Sequence, residues 1–232
     1  MWWGMGKWQN KESTAAVNEQ IINEVDDTSP DLIVIFDTSH SMTLNTKISQ
    51  AEEDWYYSTN IKTTEQLKKA LLLEQEPSRF AAAKETVGRI FNQLPAEGLT
   101  SLLSFKSCET IHDHGVFEAD RHEELYKTML GLQPTSGTPS GDALSYAAES
   151  MDGIKKAGVI MLVTDGESSC GSHVCTAAAN IAKSKPLLRI DVIDVTGFGL
   201  SNCVAEKTGG RVYNHGDSIQ LNQTSTNLNY DK

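Results

Sequence analysis

Residues 31–42 have the sequence DLIVIFDTSHSM, in which an apolar run is followed at once by small polar and acidic side chains. The run predicts a β-strand at residues 31–36. Because it is continuously apolar rather than alternating, we expect the strand to be buried on both faces, as in a parallel sheet covered by helices. Asp37, Ser39 and Ser41 come directly after this strand and form a DxSxS pattern.

Strand and helix patterns alternate along most of the remaining chain. Apolar segments predict further strands, the first two close enough to form a hairpin, at residues 100–105, 110–117, 159–163, 187–195 and 211–213. Apolar residues at helical spacing predict helices at residues 79–94, 123–130, 141–151, 174–183 and 203–208. This alternation predicts an α/β fold with a doubly wound, mostly parallel central sheet, helices on both faces and one antiparallel edge strand.

One segment interrupts the alternation. Residues 43–78 are polar and are predicted to be an insertion in a domain that spans residues 31–213. A helix is expected inside the insertion at residues 64–76. The side of this helix that should face the domain carries Leu67, Leu71 and Leu72.

An aromatic cluster precedes that helix in the same insertion and consists of Trp55, Tyr56 and Tyr57. Aromatic side chains on an exposed insertion are typical of a patch that binds a partner. Packing of the same rings against the domain is an equally good interpretation. The sequence leaves both open.

Composition and charge limit the class of protein and the kind of partner. The chain has 232 residues, of which 39% are hydrophobic, and a formal net charge of −11. This apolar content is too high for a disordered chain, and the negative charge repels the phosphate backbones of nucleic acids. The longest apolar runs are far shorter than the ~20 residues that cross a bilayer, so we expect no nucleic-acid partner and no membrane-spanning segment in this chain.

Both ends of the chain are predicted to lie outside the domain. Residues 1–30 form an N-terminal extension in which no signal peptide is visible, because it contains no continuous apolar run of sufficient length. Residues 214–232 form a polar C-terminal tail.

Oxygen-bearing side chains occur where predicted strands end. Asp37, Ser39 and Ser41 follow the first strand. Asp165 follows a later strand, and Thr138 precedes a helix. A doubly wound sheet binds ligands at this edge, and Mg²⁺ takes about six oxygen ligands. Two carboxylates balance its charge, while three neutral hydroxyls leave it electrophilic with one open position, for which an acidic side chain of another protein is the natural ligand.

In their order along the chain and their positions relative to the predicted strands, these five residues fit the metal-ion-dependent adhesion site of a von Willebrand factor type A domain. The chain resembles this family over residues 31–213, outside the insertion. The resemblance implies a bound Mg²⁺ (or Mn²⁺ or Ca²⁺) and a role in adhesion, with a protein ligand that offers an Asp or Glu carboxylate. The family commonly has Gly where this chain has His40, so His40 either accepts an ordinary loop conformation or projects toward the partner. Glu167, just after the metal motif, is a second candidate contact to the partner.

The segments TDGESSCGSHVC, GFGLSNCVAEKTGGRVYN and SCETI are similar to a bacterial group of such domains, often found outside the cytoplasm and loosely related to calcium-activated chloride channel regulators. This resemblance implies a periplasmic or surface location. It also implies two disulfides, with the pairing left open, among Cys108, Cys170, Cys175 and Cys203. The last three are expected in loops on the same rim as the metal.

The sequence fits other functions less well, with one alternative. The alternative function is a structural subunit of a larger envelope or secretion assembly, with a metal site that is not essential. An enzyme is not expected, because the chain has no GxSxG elbow and Glu167 is the only candidate base near the metal motif in sequence. His112 and His114 are predicted to lie in a solvated hairpin turn. A zinc site at the cysteines is disfavoured, because their spacing matches no standard pattern.

Overall fold

The computed structural model describes residues 29–94, 96–166 and 168–215, which form alternating strands and helices. The strands are β1 Leu32–Phe36, β2 Leu99–Ser107, β3 Thr110–Glu118, β4 Gly158–Thr164, β5 Leu188–Asp194 and β6 Val212–Asn214. The α-helices are α1 Gln50–Ser58, α2 Thr64–Leu73, α3 Arg79–Phe91, α4 His122–Gly131, α5 Ser140–Glu149, α6 Val174–Ser184 and α7 Asn202–Thr208. Most of the predicted N-terminal extension and nearly all of the predicted tail lie outside the described residues.

The six strands form one sheet in the order β3-β2-β1-β4-β5-β6. All neighbouring strands are parallel except β2 and β3, which are antiparallel and leave β3 at an edge. The predicted mixed α/β sheet with one antiparallel edge strand is confirmed. β1 lies at its centre, between β2 and β4.

Helices cover the sheet on both faces, which explains the continuous apolar run of β1. Ile33 and Ile35 pack in a core with α5, α6 and α7. Val34 and Phe36 point to the other face and pack with α3 and α4. In the described part of the chain, no helix has both the length and the apolarity needed to cross a bilayer.

The 43–78 segment contains two helices, one more than the sequence predicted. α1 begins with a capping box between Ser49 and Glu52, and α2 with one between Thr63 and Gln66. Each box satisfies backbone N–H groups at the start of its helix. The pattern S-x-x-E at residues 49–52 was therefore the sequence signal for α1.

The predicted orientation of α2 is wrong. Three leucines that were expected to face the domain are between 48% and 58% exposed, namely Leu67, Leu71 and Leu72. The buried side of α2 carries Ala70 and Leu73 instead. Leu73 packs in a small apolar cluster with Leu44 and Ile48, and this cluster fixes which side of the helix turns inward.

The aromatic cluster of α1 divides between the two interpretations. Trp55 and Tyr56 are partly buried against the cluster of Leu44, Ile48 and Leu73. Tyr57 is 53% exposed and lines an open pocket at the edge of the sheet. Packing thus accounts for two of the rings, and the third belongs to the surface around the candidate site.

Candidate metal-binding site

The two predicted metal-binding carboxylates lie side by side at the carboxyl ends of the central strands. β1 and β4 are parallel neighbours, and Phe36 pairs with Val163 in their register. The chain continues this pairing for one residue, because the backbone N–H of Asp37 donates to Val163 O at 2.9 Å. Asp37 and Asp165 therefore emerge from adjacent strands at the same edge of the sheet.

Hydrogen bonds join the predicted ligands of β1 and β4 into one network. Ser39 Oγ lies 2.9 Å from Ser41 Oγ, and Ser41 Oγ donates to Asp165 Oδ1 at 3.0 Å. Asp37 accepts from the Ser39 backbone N–H at 2.8 Å and from Thr164 Oγ1 at 2.7 Å. The DxSxS pattern and the aspartate after β4 thus meet in space, and Thr164 is an additional residue that orients Asp37.

Thr138 reaches the same place from the loop before α5. Its backbone N–H donates to Ser169 Oγ at 2.9 Å, and its carbonyl accepts from the Ser169 backbone N–H at 3.1 Å. The loops before α5 and after β4 are therefore tied to each other beside the carboxylates. Thr138 lines a pocket of about 440 Å³ together with Ser39, Ser41 and Asp165.

Burial disfavours the ionised forms of the two aspartates at this site. Asp37 is 0% exposed and Asp165 is 5% exposed. Burial raises the pKa of Asp37, although hydrogen bonds from Ser39 and Thr164 oppose this. Burial and the nearby charge of Asp37 raise the pKa of Asp165 to about 7, against the opposing effect of Arg79. A cation held between these groups would relieve their desolvation and their mutual repulsion.

A buried ion-pair network borders the site and was missed by the sequence analysis. Arg79, the first residue of α3, is 1% exposed. Its Nη1 donates to Asp165 Oδ2 at 2.8 Å and to Glu53 Oε1 at 2.9 Å. Its Nη2 donates to Glu53 Oε2 at 2.7 Å. Because a cation at a helix N-terminus opposes the helix dipole, the Ser78-Arg79 start of α3 was the available signal.

Two disulfides form among the described residues, as the resemblance implied. Cys108–Cys170 joins the β2–β3 turn to the loop after β4, with a Cα–Cα distance of 5.7 Å. Cys175–Cys203 joins α6 to α7, with a Cα–Cα distance of 5.6 Å. The expected loop position is wrong for Cys175 and Cys203, which lie in the first turns of these helices.

The first disulfide packs directly on the Thr138 loop. Gly137 has a φ of +82°, and a Cβ placed on it would lie only 2.5 Å from Cys108 Sγ. A side chain at residue 137 would therefore collide with the disulfide, and the left-handed backbone also favours glycine there. This contact holds Thr138 beside the loop that carries Asp165.

The other predicted site residues are placed as follows. His40 is exposed, lines the pocket and has its Nε2 3.5 Å from Tyr56 Oη. Glu167 lies outside the described residues. His112 and His114 lie on β3 rather than in the hairpin turn, away from the pocket lining, and His114 Nε2 is 2.8 Å from Ser104 Oγ.

Comparison with known proteins identifies one sequence relative. No family model matches the chain. The chain is 26% identical over 152 residues to the uncharacterized protein YwmC of Bacillus subtilis strain 168, an alignment that covers 59% of this chain and 67% of YwmC. This match supplies a bacterial relative but no activity.

Solved structures share the fold. The SpRpn10 VWA domain has a TM-score of 0.51 at 17% identity, with 83% of this chain and 91% of that domain covered. The chain has a von Willebrand factor type A fold. A serine-substituted aerotolerance-related membrane protein from Bacteroides fragilis NCTC 9343 has a TM-score of 0.53 at 12% identity, with 84% and 92% covered.

A third structural neighbour carries a metal ion. Proximal thread matrix protein 1 from the mussel byssus, in a form with zinc in its MIDAS motif, has a TM-score of 0.50 at 16% identity. The alignment covers 81% of this chain and 44% of the mussel protein, so the chain spans less than half of its length.

The donor chemistry of the domain fits a hard divalent cation. Among the described residues, no three His, Cys, Asp or Glu side chains are grouped to hold a metal ion. The five predicted ligands are instead two carboxylates and three hydroxyls. All five are oxygen donors of the type that Mg²⁺, Mn²⁺ and Ca²⁺ accept. Among the described residues, no cationic side chain forms an ion pair with Asp37, so none of them balances this buried carboxylate directly.

Proposed function

We propose that the chain is a metal-ion-dependent protein-binding module. A divalent cation, Mg²⁺ or alternatively Mn²⁺ or Ca²⁺, binds to Asp37, Ser39, Ser41, Thr138 and Asp165. The cation keeps one position open toward the pocket and accepts there an Asp or Glu carboxylate of a partner protein. The chain has no catalytic role in this proposal.

One observation carries the proposal. The network of Asp37, Ser39, Ser41 and Asp165 lies at the carboxyl ends of β1 and β4, with Thr138 lining the same pocket. Residues far apart in sequence thus bring five oxygen donors to one edge of the sheet, where doubly wound folds bind ligands. The zinc-bound motif of the mussel protein is consistent with this.

The pocket also supports binding by a protein rather than by a metal alone. It is open to solvent, and its rim carries the exposed side chains of His40 and Tyr57 together with Phe198. Aromatic residues at the edge of a polar centre are typical of protein interfaces. The cation would balance the charge of a ligand carboxylate, while neighbouring groups of the ligand contact this rim.

We infer an extracytoplasmic location, in the periplasm or at the cell surface. Cys108–Cys170 and Cys175–Cys203 use all four cysteines of the chain. Disulfides persist in oxidising compartments and are rare in the cytosol.

The alternative function is a structural subunit of an envelope or secretion assembly. The Arg79–Asp165 ion pair favours it, because Arg79 balances one of the two carboxylates without a metal. Under this alternative, the chain keeps its partner in EDTA. Under the proposed function, the partner is released by EDTA and rebinds when Mg²⁺ is restored.

Thermal unfolding with and without Mg²⁺ tests the proposal. Mg²⁺ at a hundred times its dissociation constant adds ~2.7 kcal/mol to the free energy of unfolding. For a domain of this size, this corresponds to a rise in Tm of roughly 5–11 °C. Asp37→Ala and Thr138→Ala should reduce the rise, while Thr128→Ala, at a half-buried threonine of α4 outside the pocket lining, should leave the rise unchanged. No rise in the wild type, or the same rise in Asp37→Ala, would refute metal binding at this site.

A further inference from the structure

Arg79 is a buried cation that shares a carboxylate with the proposed metal ligands. Its Nη1 binds Asp165 Oδ2, while Ser41 binds the other oxygen of the same carboxylate, Oδ1. The guanidinium carbon lies 5.8 Å from the ring centroid of Phe198, a residue of the pocket lining. Any cation at the pocket therefore experiences the positive charge of Arg79 across a single carboxylate.

The charges that surround the guanidinium and the two carboxylates show the size of this effect; Asp54, an exposed residue of the pocket lining, is left out of the sum because it is the same in every variant. Asp37, Asp165 and Glu53 carry three negative charges when ionised, and Arg79 carries one positive charge. The group therefore has a net charge of −2 with Arg79 and −3 without it. Because Arg79 and Asp165 are 1% and 3% exposed at their side chains, solvent and salt screen their interaction only weakly.

Glu53 holds the guanidinium from the opposite side. Its two carboxylate oxygens accept from Nη1 and Nη2 of Arg79 in a bidentate pair. Glu53 belongs to α1, in the 43–78 segment, and its side chain is 19% exposed. The position of Arg79 and its effective charge at Asp165 therefore depend on this segment.

We propose that Arg79 and Glu53 set the affinity of the site for divalent cations in opposite directions. Arg79 weakens metal binding, because its charge competes for Asp165. Glu53 strengthens binding, because it draws the guanidinium away from Asp165 and adds a negative charge. Arg79 is a positioning residue and not a metal ligand. This inference rests on the proposed function and gives the 43–78 segment a role in it.

Calorimetric titration of the full chain with MnCl₂ tests the inference. Arg79→Gln should tighten Mn²⁺ binding at least about tenfold, because a single and a double positive charge a few ångströms apart repel by that factor even at the dielectric constant of water. Glu53→Gln should weaken Mn²⁺ binding about threefold to tenfold. It removes a negative charge near the site, and Asp165 becomes the one carboxylate that pairs with Arg79 in this network.

Arg89 and Glu85 provide matched controls, since they form an exposed ion pair on the same helix, α3. Arg89→Gln and Glu85→Gln should leave the Mn²⁺ dissociation constant unchanged. Circular dichroism shows whether each variant is folded. If Arg79→Gln does not fold, the partly exposed Glu53→Gln carries the test by itself.

The outcomes separate this inference from the proposed function. If the wild type binds Mn²⁺ and Asp37→Ala does not, but Glu53→Gln and any folded Arg79→Gln bind like the wild type, the role of Arg79 is wrong and the metal site stands. If only Arg79→Gln binds Mn²⁺, the role of Arg79 is supported, and the native chain is not a metal-dependent module. If no folded protein binds Mn²⁺, both proposals fall.

Discussion

The two disulfides should differ in what they do for the proposed metal site, although they stabilise the fold to a similar extent. Cys108–Cys170 spans 62 residues and Cys175–Cys203 spans 28. A chain-entropy model predicts that the first adds about 4.3 kcal/mol to the free energy of unfolding and the second about 3.6 kcal/mol. Replacement of either pair by serine should therefore lower stability by about 4 kcal/mol.

The effect on metal binding should be specific to the first pair. Cys108 and Cys170 contact Gly137, next to Thr138, and Cys170 is adjacent to Ser169, which binds the Thr138 backbone. Without this crosslink, the loop that carries Thr138 and the loop after β4 lose a constraint that holds them together. The double variant Cys108→Ser/Cys170→Ser should bind Mg²⁺ more weakly than the wild type.

The matched control is Cys175→Ser/Cys203→Ser, whose disulfide joins α6 to α7 against the core of that face. Urea denaturation gives the change in the free energy of unfolding, and the Mg²⁺-dependent rise in Tm gives the effect on the site. We expect both double variants to lose stability and only the first to lose most of the Mg²⁺ effect. Equal Mg²⁺ effects in the two folded variants would refute the argument that the first crosslink positions Thr138.

Two further predictions concern the 43–78 segment and acid stability. Leu73→Ala should cost about 2–4 kcal/mol in urea denaturation, since Leu73 is 6% exposed, while its neighbour Leu72, 58% exposed, should tolerate Ala within about 0.5 kcal/mol. Equal costs would contradict the orientation of α2. Hydrogen bonds from the backbone N–H groups of Lys156, Lys155 and Ile154 lower the pKa of Asp152 to about 2. This stabilisation is present above the ordinary aspartate pKa and is lost as the pH falls from about 4 to about 2, so Asp152→Asn should flatten the loss of stability across that window.

Local runs of apolar residues were enough to predict the strands and the class of the sheet. The continuous apolar run of β1 indicated burial on both faces, and Ile33 and Val34 do pack against opposite layers of helices. The positions of Asp37, Ser39 and Asp165 followed from the same strands, since the carboxyl ends of parallel neighbours meet at one edge. Their role as metal ligands stays a prediction.

Features that depend on contacts distant in sequence were not predictable in this way. Arg79 is 26 residues from Glu53 and 86 residues from Asp165, and no local pattern pairs them. The inward side of α2 was misjudged for a similar reason, because Leu44 and Ile48, outside the helix, determine which of its leucines is buried. Both errors involve residues of the 43–78 segment, Glu53 in α1 and the leucines of α2.

The two ends of this segment lie next to each other. Asn45 and Ser78 form an isolated antiparallel bridge, and the backbone N–H of Arg79 donates to Leu44 O at 2.8 Å. The intervening residues therefore form an insertion whose first and last residues are neighbours, so the insertion can be replaced as a unit. A short turn from Asn45 to Ser78 would excise α1 and α2 while keeping Ser78 as the cap of α3. Protein engineering could in this way change the wall of the pocket that α1 supplies, including Glu53 and Tyr57, without altering the strands beneath it.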